Sequence, residues 1–298
     1  MIAVLEQIGF LAFFFLAGFL LSRANLIKQE HSKLLSTLII WLFLPATIIR
    51  SFVKNFTIEN LSTYYVLILV SLAILVVNIA LSFLYGKIFT RGGYTKNVYR
   101  YSAIVPNANV GYGFAEGMTG TEGLLRFTIF NIPVIFFCYT FGYALLTKQK
   151  FTFKRLLNPV TAALAIGIVL GLLPIEMPAF VSTLLDKTAA CMVPVCMITV
   201  GIGISEFRFF SLFKNWRAIV FTLLRLVALP VVLRFTLSLF LPPEIVIPCV
   251  LFYSMPCGMN TIIFGRMISE DLRSGAELVM FSNLLAIVSI PLVTYGLF

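Results

Sequence analysis

Two short polar segments interrupt apolar stretches of this chain at positions about 150 residues apart. The first follows Pro106 as Pro-Asn-Ala-Asn, and the second follows Pro256 as Pro-Cys-Gly-Met-Asn-Thr. Proline has no backbone N–H and clashes with the preceding helical turn, so each segment predicts a helix that breaks and restarts. The restarted helices would present unpaired N–H groups and partial positive charge, which is chemistry suited to holding an anion.

The residues of these segments divide into two predicted groups. The helix breaks are assigned to residues that lack an N–H or tolerate unusual backbone angles: Pro106, Gly111, Pro256 and Gly258. Substrate contacts are assigned to side chains in or just after the breaks: Asn107, Asn109, Cys257, Asn260 and Thr261. A single asparagine often serves only helix packing, but a cluster after two broken prolines favours a binding site.

The composition is that of an integral membrane protein. Of the 298 residues, 60% are hydrophobic and 11% are charged, and the mean hydropathy is +1.02. Soluble domains carry about 25% charged residues. Apolar windows of about 20 residues predict ten transmembrane spans, at roughly 2–22, 33–52, 62–86, 98–117, 124–146, 156–173, 183–204, 216–240, 245–265 and 275–297.

The formal charge of +10 is interpreted as a topology signal, because most basic residues fall in short loops. Sixteen lie in the odd-numbered loops, and four lie in the even-numbered loops, namely Arg50, Lys54, Arg126 and Lys187. This distribution predicts a multi-pass protein of the cell membrane with both termini outside. Lipid is therefore an expected partner, and nucleic acid is not.

The two halves of the chain share a pattern that predicts a duplication. Polar or helix-breaking residues recur at offsets of 149, 150 and 152 residues, in the pairs Pro45 and Pro194, Pro106 and Pro256, and Asn131 and Asn283. The pattern predicts an all-α fold with five-helix repeats over residues 1–149 and 150–298. Because five is odd, the second repeat would be inverted, so that broken helices 4 and 9 could cross at mid-membrane.

Other charged residues within the spans leave their roles open. Glu116 is interpreted either as a solvated helix end or as a proton-coupling carboxylate, and Arg225 either as a snorkelling side chain or as positive charge beside an anion path. Glu6 is expected near the outer surface, and Arg234 has no assigned role. The sequence is compatible with proton-coupled transport, sodium-coupled transport and uniport.

Several stretches resemble the auxin efflux carrier family: Phe43–Ala46, Asn107–Gly113 with Gly120–Leu124, Arg225–Leu226 with Pro230, and Met255–Thr261. The resemblance implies ten helices in two inverted repeats, a crossover of broken helices 4 and 9, and elevator-type transport of an organic anion such as malate, malonate or an auxin. The family's crossover asparagines map onto Asn107 and Asn260. Asn109 and Tyr112 depart from the family pattern, and both are expected to line the pocket.

The sequence thus predicts a secondary transporter that moves a small carboxylate by alternating access. Spans 1, 2, 6 and 7 would form a scaffold and a homodimer contact, while spans 3–5 and 8–10 move. An anion channel is the main alternative, although few polar residues lie within the spans to line a pore. An intramembrane enzyme or sensor is less favoured, since no paired acids, histidine cluster or signalling domain is visible, and no cofactor or metal is expected.

Overall fold

The computed structural model describes residues 2–56, 58–59, 61–90, 92–149, 157–173, 177–205, 215–258, 260–267 and 273–294. Within these ranges the chain is helical. The helices of the first half are α1 Ile2–Arg23, α2 Gln29–Leu38, α3 Leu44–Asn55, α4 Leu61–Phe89, α5 Gly93–Ile104, α6 Ala108–Phe137 and α7 Tyr143–Thr147. Those of the second half are α8 Pro159–Leu172, α9 Ala179–Ala190, α10 Met192–Ser205, α11 Trp216–Leu223, α12 Leu229–Leu237, α13 Pro243–Ser254, α14 Asn260–Met267 and α15 Arg273–Thr294.

Short π-helical turns join three of these helices to their successors: Ile39–Phe43 before α3, Cys138–Gly142 before α7 and Leu224–Ala228 before α12. Two of them lie directly before prolines, Pro45 and Pro230. A proline ring clashes with the carbonyl four residues earlier, so the widened turn relieves that clash while the helix continues. The π turn before Pro230 contains Arg225.

Glycine and asparagine determine two further helix boundaries. Gly120 interrupts α6 with a φ of 69°, a left-handed conformation that favours glycine, and it lies between predicted spans 4 and 5. Asn158 caps α8, because its side-chain oxygen accepts hydrogen bonds from the N–H groups of Val160 (3.0 Å) and Thr161 (3.2 Å). Pro159 follows at the first helical position, where a missing N–H costs nothing.

The described residues include five helical segments long and apolar enough to cross a membrane: Leu34–Asn55, Leu61–Phe89, Val110–Thr147, Ala179–Gly203 and Trp216–Leu237. A sixth forms if the bent pair Ser274–Ala286 and Val288–Thr294 is taken as one span. Shorter apolar helices occur at Ala12–Arg23, Pro159–Leu172 and Pro243–Ser254. Predicted spans 4 and 9 do not form single long helices, because each is interrupted. The first interruption separates α5 from α6, and the second separates α13 from α14. The protein is therefore a multi-pass membrane protein, with the number ten still a prediction.

The chain divides into two compact units. Unit 1 contains Met1–Tyr64, Asn109–Thr128 and Leu157–Phe207, and unit 2 contains Tyr65–Ala108, Ile129–Leu156 and Arg208–Phe298. Both units are therefore assembled from both halves of the sequence. The first unit takes in predicted spans 1, 2, 6 and 7 together with the segment after the first break.

In unit 1, glycines bring helix backbones into direct contact. A Cβ atom on Gly18 of α1 would lie 2.3 Å from the carbonyl oxygen of Ile198 in α10, and one on Gly201 would lie 2.2 Å from that of Phe15. Only glycine permits this approach, which is a common way for membrane helices to pack. Gly167 of α8 similarly lies against the ring of Phe52 in α3.

In unit 2, aromatic and aliphatic side chains form the core. Phe221 packs edge-to-face on Tyr85, Phe89 and Tyr99, with ring centroids 5.4, 5.8 and 4.9 Å away. A second cluster surrounds the buried side chains of Val246, Val250 and Val293. The first cluster joins α4 and α5 to α11, and the second joins α13 to α15.

Some residues used to predict topology lie outside the described ranges: Arg91, Lys150, Lys154, Arg155, Arg208 and Lys214. The four basic residues assigned to the even-numbered loops all lie in helices instead: Arg50 and Lys54 in α3, Arg126 in α6 and Lys187 in α9. Arg50 is also buried, with only 7% of it exposed. An arginine near the end of an apolar window looks like a loop residue in the sequence, but the helix continues past it to Asn55.

Candidate functional site

Both predicted breaks interrupt helices in the structure. The first separates α5, which ends at Ile104, from α6, which begins at Ala108. The second separates α13, which ends at Ser254, from α14, which begins at Asn260. Val105 and Met255 both adopt extended backbone angles, so each helix stops before its proline.

The two breaks contact each other within unit 2. The N–H of Asn107 donates a hydrogen bond of 2.7 Å to the carbonyl oxygen of Pro256, and Pro106 pairs with Cys257 as an isolated antiparallel bridge. We refer to residues 105–107 and 255–258 together as the crossover. Gly258 lies close to the first break, since a Cβ there would be 3.4 Å from the carbonyl oxygens of Val105 and Pro106.

The crossover is buried, and its backbone groups are bonded locally. Cys257 is fully buried, and its N–H donates to the hydroxyl of Ser282 in α15 at 2.9 Å. The hydroxyl of Thr261 donates to the carbonyl oxygen of Gly258 at 3.1 Å. Thr261 and Cys257 therefore shape the second break, and Ser282 is a supporting residue that sequence reasoning missed.

Asn107 and Asn260 occupy corresponding positions beside the two helix starts. Asn107 immediately precedes α6 and is 5% exposed, whereas Asn260 opens α14 and is partly exposed. The Asn260 amide donates to the sulfur of Cys138 at 3.0 Å, and that sulfur lies 2.9 Å from the hydroxyl of Tyr101. These contacts fix the Asn260 side chain at the edge of the crossover.

Arg225 binds the opposite helix ends. Its Nε donates to the carbonyl oxygen of Ser102 at 2.8 Å, and its Nη1 donates to those of Met255 at 2.6 Å and Tyr253 at 3.4 Å. These carbonyls belong to the last turns of α5 and α13, where the helices leave acceptors without intrahelical partners. Only 1% of Arg225 is exposed, so snorkelling does not describe it.

Helix ends of both signs therefore meet at the crossover. The C-terminal ends of α5 and α13 carry partial negative charge and face the guanidinium of Arg225. The N-terminal ends of α6 and α14 begin on the other side of the breaks and carry partial positive charge, and the N–H groups of Ala108 and Thr261 there donate to the carbonyl oxygens of Pro106 and Gly258. An arrangement of this kind can bind an anionic group through backbone donors and asparagine amides.

The remaining predicted residues belong to unit 1. Asn109 and Gly111 lie in the first turn of α6, so Gly111 is inside a helix and is not part of the break. Tyr112 is 1% exposed, and its ring packs edge-to-face on Phe127 with a centroid distance of 5.5 Å. Its role in lining a pocket remains a prediction.

Glu116 forms an ion pair with Arg50 that sequence reasoning did not find. Asp186 of α9 lies 3.9 Å from Nη1 of Arg50 and 2.6 Å from the ammonium group of Lys54. The four residues join α3, α6 and α9 within unit 1. Glu116 is thus a partner of a buried arginine and not simply a solvated helix end.

No group of three or more metal-binding side chains occurs among the described residues. What the crossover offers is hydrogen-bond donors and positive charge, which is chemistry suited to binding an anionic group.

Comparison with known proteins agrees with this description. A family model described as membrane transport protein matches the chain twice, over residues 3–153 and 144–294. The chain is also 26% identical over 292 residues to a protein of Methanocaldococcus jannaschii named as an uncharacterized transporter, with 93% of each chain covered. The two matches of the family model together span nearly the whole sequence, and the chain belongs to the membrane transport protein family, which includes the auxin efflux carriers.

Proposed function

We propose that this protein is a secondary transporter for a small organic anion, a carboxylate such as malate, malonate or an auxin-like acid. The observation that carries the proposal is the direct contact between the two helix breaks, through Asn107 and Pro256. Irregular backbone is tolerated at membrane depth where it is buried in protein or lines a water-filled cavity. Paired interruptions in the two halves of a membrane protein are the typical position of a transporter's site.

The chemistry of the crossover favours an anionic substrate. The starts of α6 and α14 supply backbone N–H groups, and Asn107 and Asn260 supply amides beside them. A carboxylate accepts several such hydrogen bonds at once, and bonds to a charged group are about twice as strong as neutral ones. A cation would instead meet donors and a buried guanidinium.

Alternating access of the elevator type requires that the substrate-binding residues travel as one body. Asn107, Asn260 and Arg225 all belong to unit 2, together with the supporting residue Ser282, whereas the predicted contacts Asn109 and Tyr112 belong to unit 1. We therefore propose that unit 2 carries the crossover residues and that the predicted scaffold spans 1, 2, 6 and 7 of unit 1 stay fixed. The ten-helix inverted repeat, a homodimer through those spans, and a cell-membrane location with both termini outside belong to the same proposal.

Coupling to a proton gradient, coupling to a sodium gradient and uniport are separate versions of this mechanism. Reconstitution of the full chain into proteoliposomes distinguishes them. Uptake of labelled malonate, malate and indole-3-acetate is measured with and without imposed pH and sodium gradients. We expect saturable uptake of at least one carboxylate and acceleration when unlabelled substrate is placed on the opposite side.

The same measurement separates the carrier from a channel. A channel would show flux that rises linearly with concentration and no counterflow. Absence of carboxylate uptake under every gradient, with uptake of a cation or neutral solute instead, would overturn the proposed function.

A further inference from the structure

The crossover contains a balanced set of helix ends, and this balance gives Arg225 a specific electrostatic role. The crossover joins two C-terminal ends, those of α5 and α13, and two N-terminal ends, those of α6 and α14. Each end carries a partial charge of about half a unit, negative at the C-terminus and positive at the N-terminus. The four helix ends together contribute almost no net charge, so they do not by themselves select an anion.

Arg225 adds a full positive charge to this neutral set. Its contacts are with the carbonyl oxygens of Ser102, Tyr253 and Met255, and among the described residues no carboxylate forms an ion pair with it. Carbonyl oxygens satisfy its donors without cancelling its charge. A buried charge is costly unless a counter-charge is present, which leaves a place for an anion.

One donor of the guanidinium also lacks a protein partner. Nη2 of Arg225 is buried and makes no hydrogen bond among the described residues, although Nε and Nη1 are both bonded. The side chain of Ser102, on the residue whose carbonyl Arg225 binds, is also buried and lies beside the thiol of Cys257. The unpartnered Nη2 is an observation independent of the helix ends, and it is a donor of the buried guanidinium that no protein group uses among the described residues.

We propose that Arg225 determines the sign of the substrate: it gives the crossover a net positive charge, so that an anion and not a neutral analogue binds. The residue is a specificity determinant that acts through the field it imposes on the crossover. Its bonds to the ends of α5 and α13 give it a second, positioning role. The inference rests on the proposed function, since it assumes that the substrate binds at the crossover.

The test changes the charge beside Arg225 while leaving the arginine and its carbonyl bonds in place. Ser102→Asp introduces a carboxylate on the buried residue whose carbonyl oxygen Arg225 binds, and Ser102→Asn introduces a side chain of almost the same size without charge. Each purified full-length variant is titrated with malonate and with malonamide, its neutral counterpart, and binding is followed by isothermal calorimetry. Thermal melting in detergent is the control for folding.

We expect the preference for malonate over malonamide to be at least about tenfold smaller in Ser102→Asp than in Ser102→Asn, because an internal carboxylate then neutralises Arg225. Equal preferences in two folded variants would overturn the inference. If wild-type protein shows no preference for any carboxylate, the proposed function fails instead, so the two failures are distinguishable.

A second pair of variants tests the charge at its source. Arg225→Lys keeps the positive charge but loses the fork that reaches several carbonyls, whereas Arg225→Gln loses the charge and keeps a donor. Both should melt at lower temperature than wild type, but only Arg225→Lys should keep an anion preference. An equal preference for malonate over malonamide in the two folded variants would contradict the role of charge. If Arg225→Gln does not fold, the two Ser102 variants provide the test.

Discussion

The N–H of Asn107 donates a 2.7 Å hydrogen bond to the carbonyl oxygen of Pro256, and this bond joins the two interrupted helices. Pro106 has no N–H, so Asn107 carries the first backbone donor after the first break. Pro256 is the proline that the sequence relates to Pro106 by an offset of 150 residues. The two halves of the chain therefore meet at equivalent positions, and changes at this contact should affect transport before they affect folding.

The asparagines beside the helix starts should contribute directly to substrate affinity. Replacing Asn107 or Asn260 with alanine removes an amide that can bond a carboxylate, and such bonds are worth about 1.5–3 kcal/mol. We expect affinity for the transported anion to fall by about tenfold to a hundredfold, with uptake near background at low substrate concentration. Uptake and binding in proteoliposomes measure this effect.

Asn283→Ala is a matched control, because Asn283 is also a buried asparagine of unit 2. Its amide donates to the carbonyl oxygen of Val279 within its own helix, at 2.6 Å. That bond should matter for packing and not for the substrate. Wild-type affinity in both crossover variants would contradict their assignment as binding residues.

The distance between the two breaks should depend on the size of residue 258. A Cβ at Gly258 would lie 3.4 Å from two carbonyl oxygens of the first break, which is ordinary contact, but the extra methyl groups of valine would collide with that backbone. We expect uptake to fall progressively from glycine through Gly258→Ala to Gly258→Val. Gly203→Val is the control, since a Cβ there meets no atom within 4 Å. Equal losses in both valine variants would contradict the role of the contact between the two breaks.

The helix breaks could be predicted from sequence because their causes are local. A proline with asparagine or glycine residues soon after it favours a helix break, so Pro106 and Pro256 predict the positions at which α5 and α13 end. Their mutual contact was inferred from the repeated pattern, and the structure places them within one hydrogen bond of each other. The positions of the breaks could therefore be predicted without knowledge of the tertiary structure.

The partners of the buried arginines could not be predicted in this way. Arg225 and Arg50 are long side chains whose direction depends on helices distant in the sequence, Ser102 and Met255 in one case and Glu116 in the other. Sequence hydropathy records only that a charge interrupts an apolar window. It cannot distinguish a side chain that reaches water from one that binds helix ends.

The stability of the protein should depend on the close packing of α1 against α10. A methyl group at Gly18 or Gly201 would overlap backbone atoms of the facing helix, at 2.3 and 2.2 Å. Because backbone cannot move aside as a flexible side chain can, Gly18→Ala and Gly201→Ala should each destabilise the protein by about 1–3 kcal/mol. Thermal melting in detergent measures this loss.

Gly9→Ala is the control, because Gly9 lies in α1 like Gly18 but a Cβ there meets no atom within 4 Å. It should leave the melting temperature unchanged, and an equal loss there would contradict the packing explanation.

The ion pair between Arg50 and Glu116 should show energetic coupling in a double-mutant cycle. Arg50 is buried, and Glu116 accepts its hydrogen bond. Glu116→Gln therefore leaves a buried guanidinium whose remaining acidic neighbour, in the part of the chain that the structure describes, is Asp186, 3.9 Å from Nη1. Removing one partner of a buried pair costs about 3–5 kcal/mol, but Asp186 and the partial exposure of Glu116 should reduce the cost to about 1–3 kcal/mol. Arg50→Met combined with Glu116→Gln removes the unpaired charge and should recover part of this loss.

Arg126 and Glu122, an exposed pair one helical turn apart, provide the control, and their cycle should give a coupling energy of less than about 1 kcal/mol. Additive effects of the Arg50 and Glu116 changes would show that the two side chains do not stabilise each other.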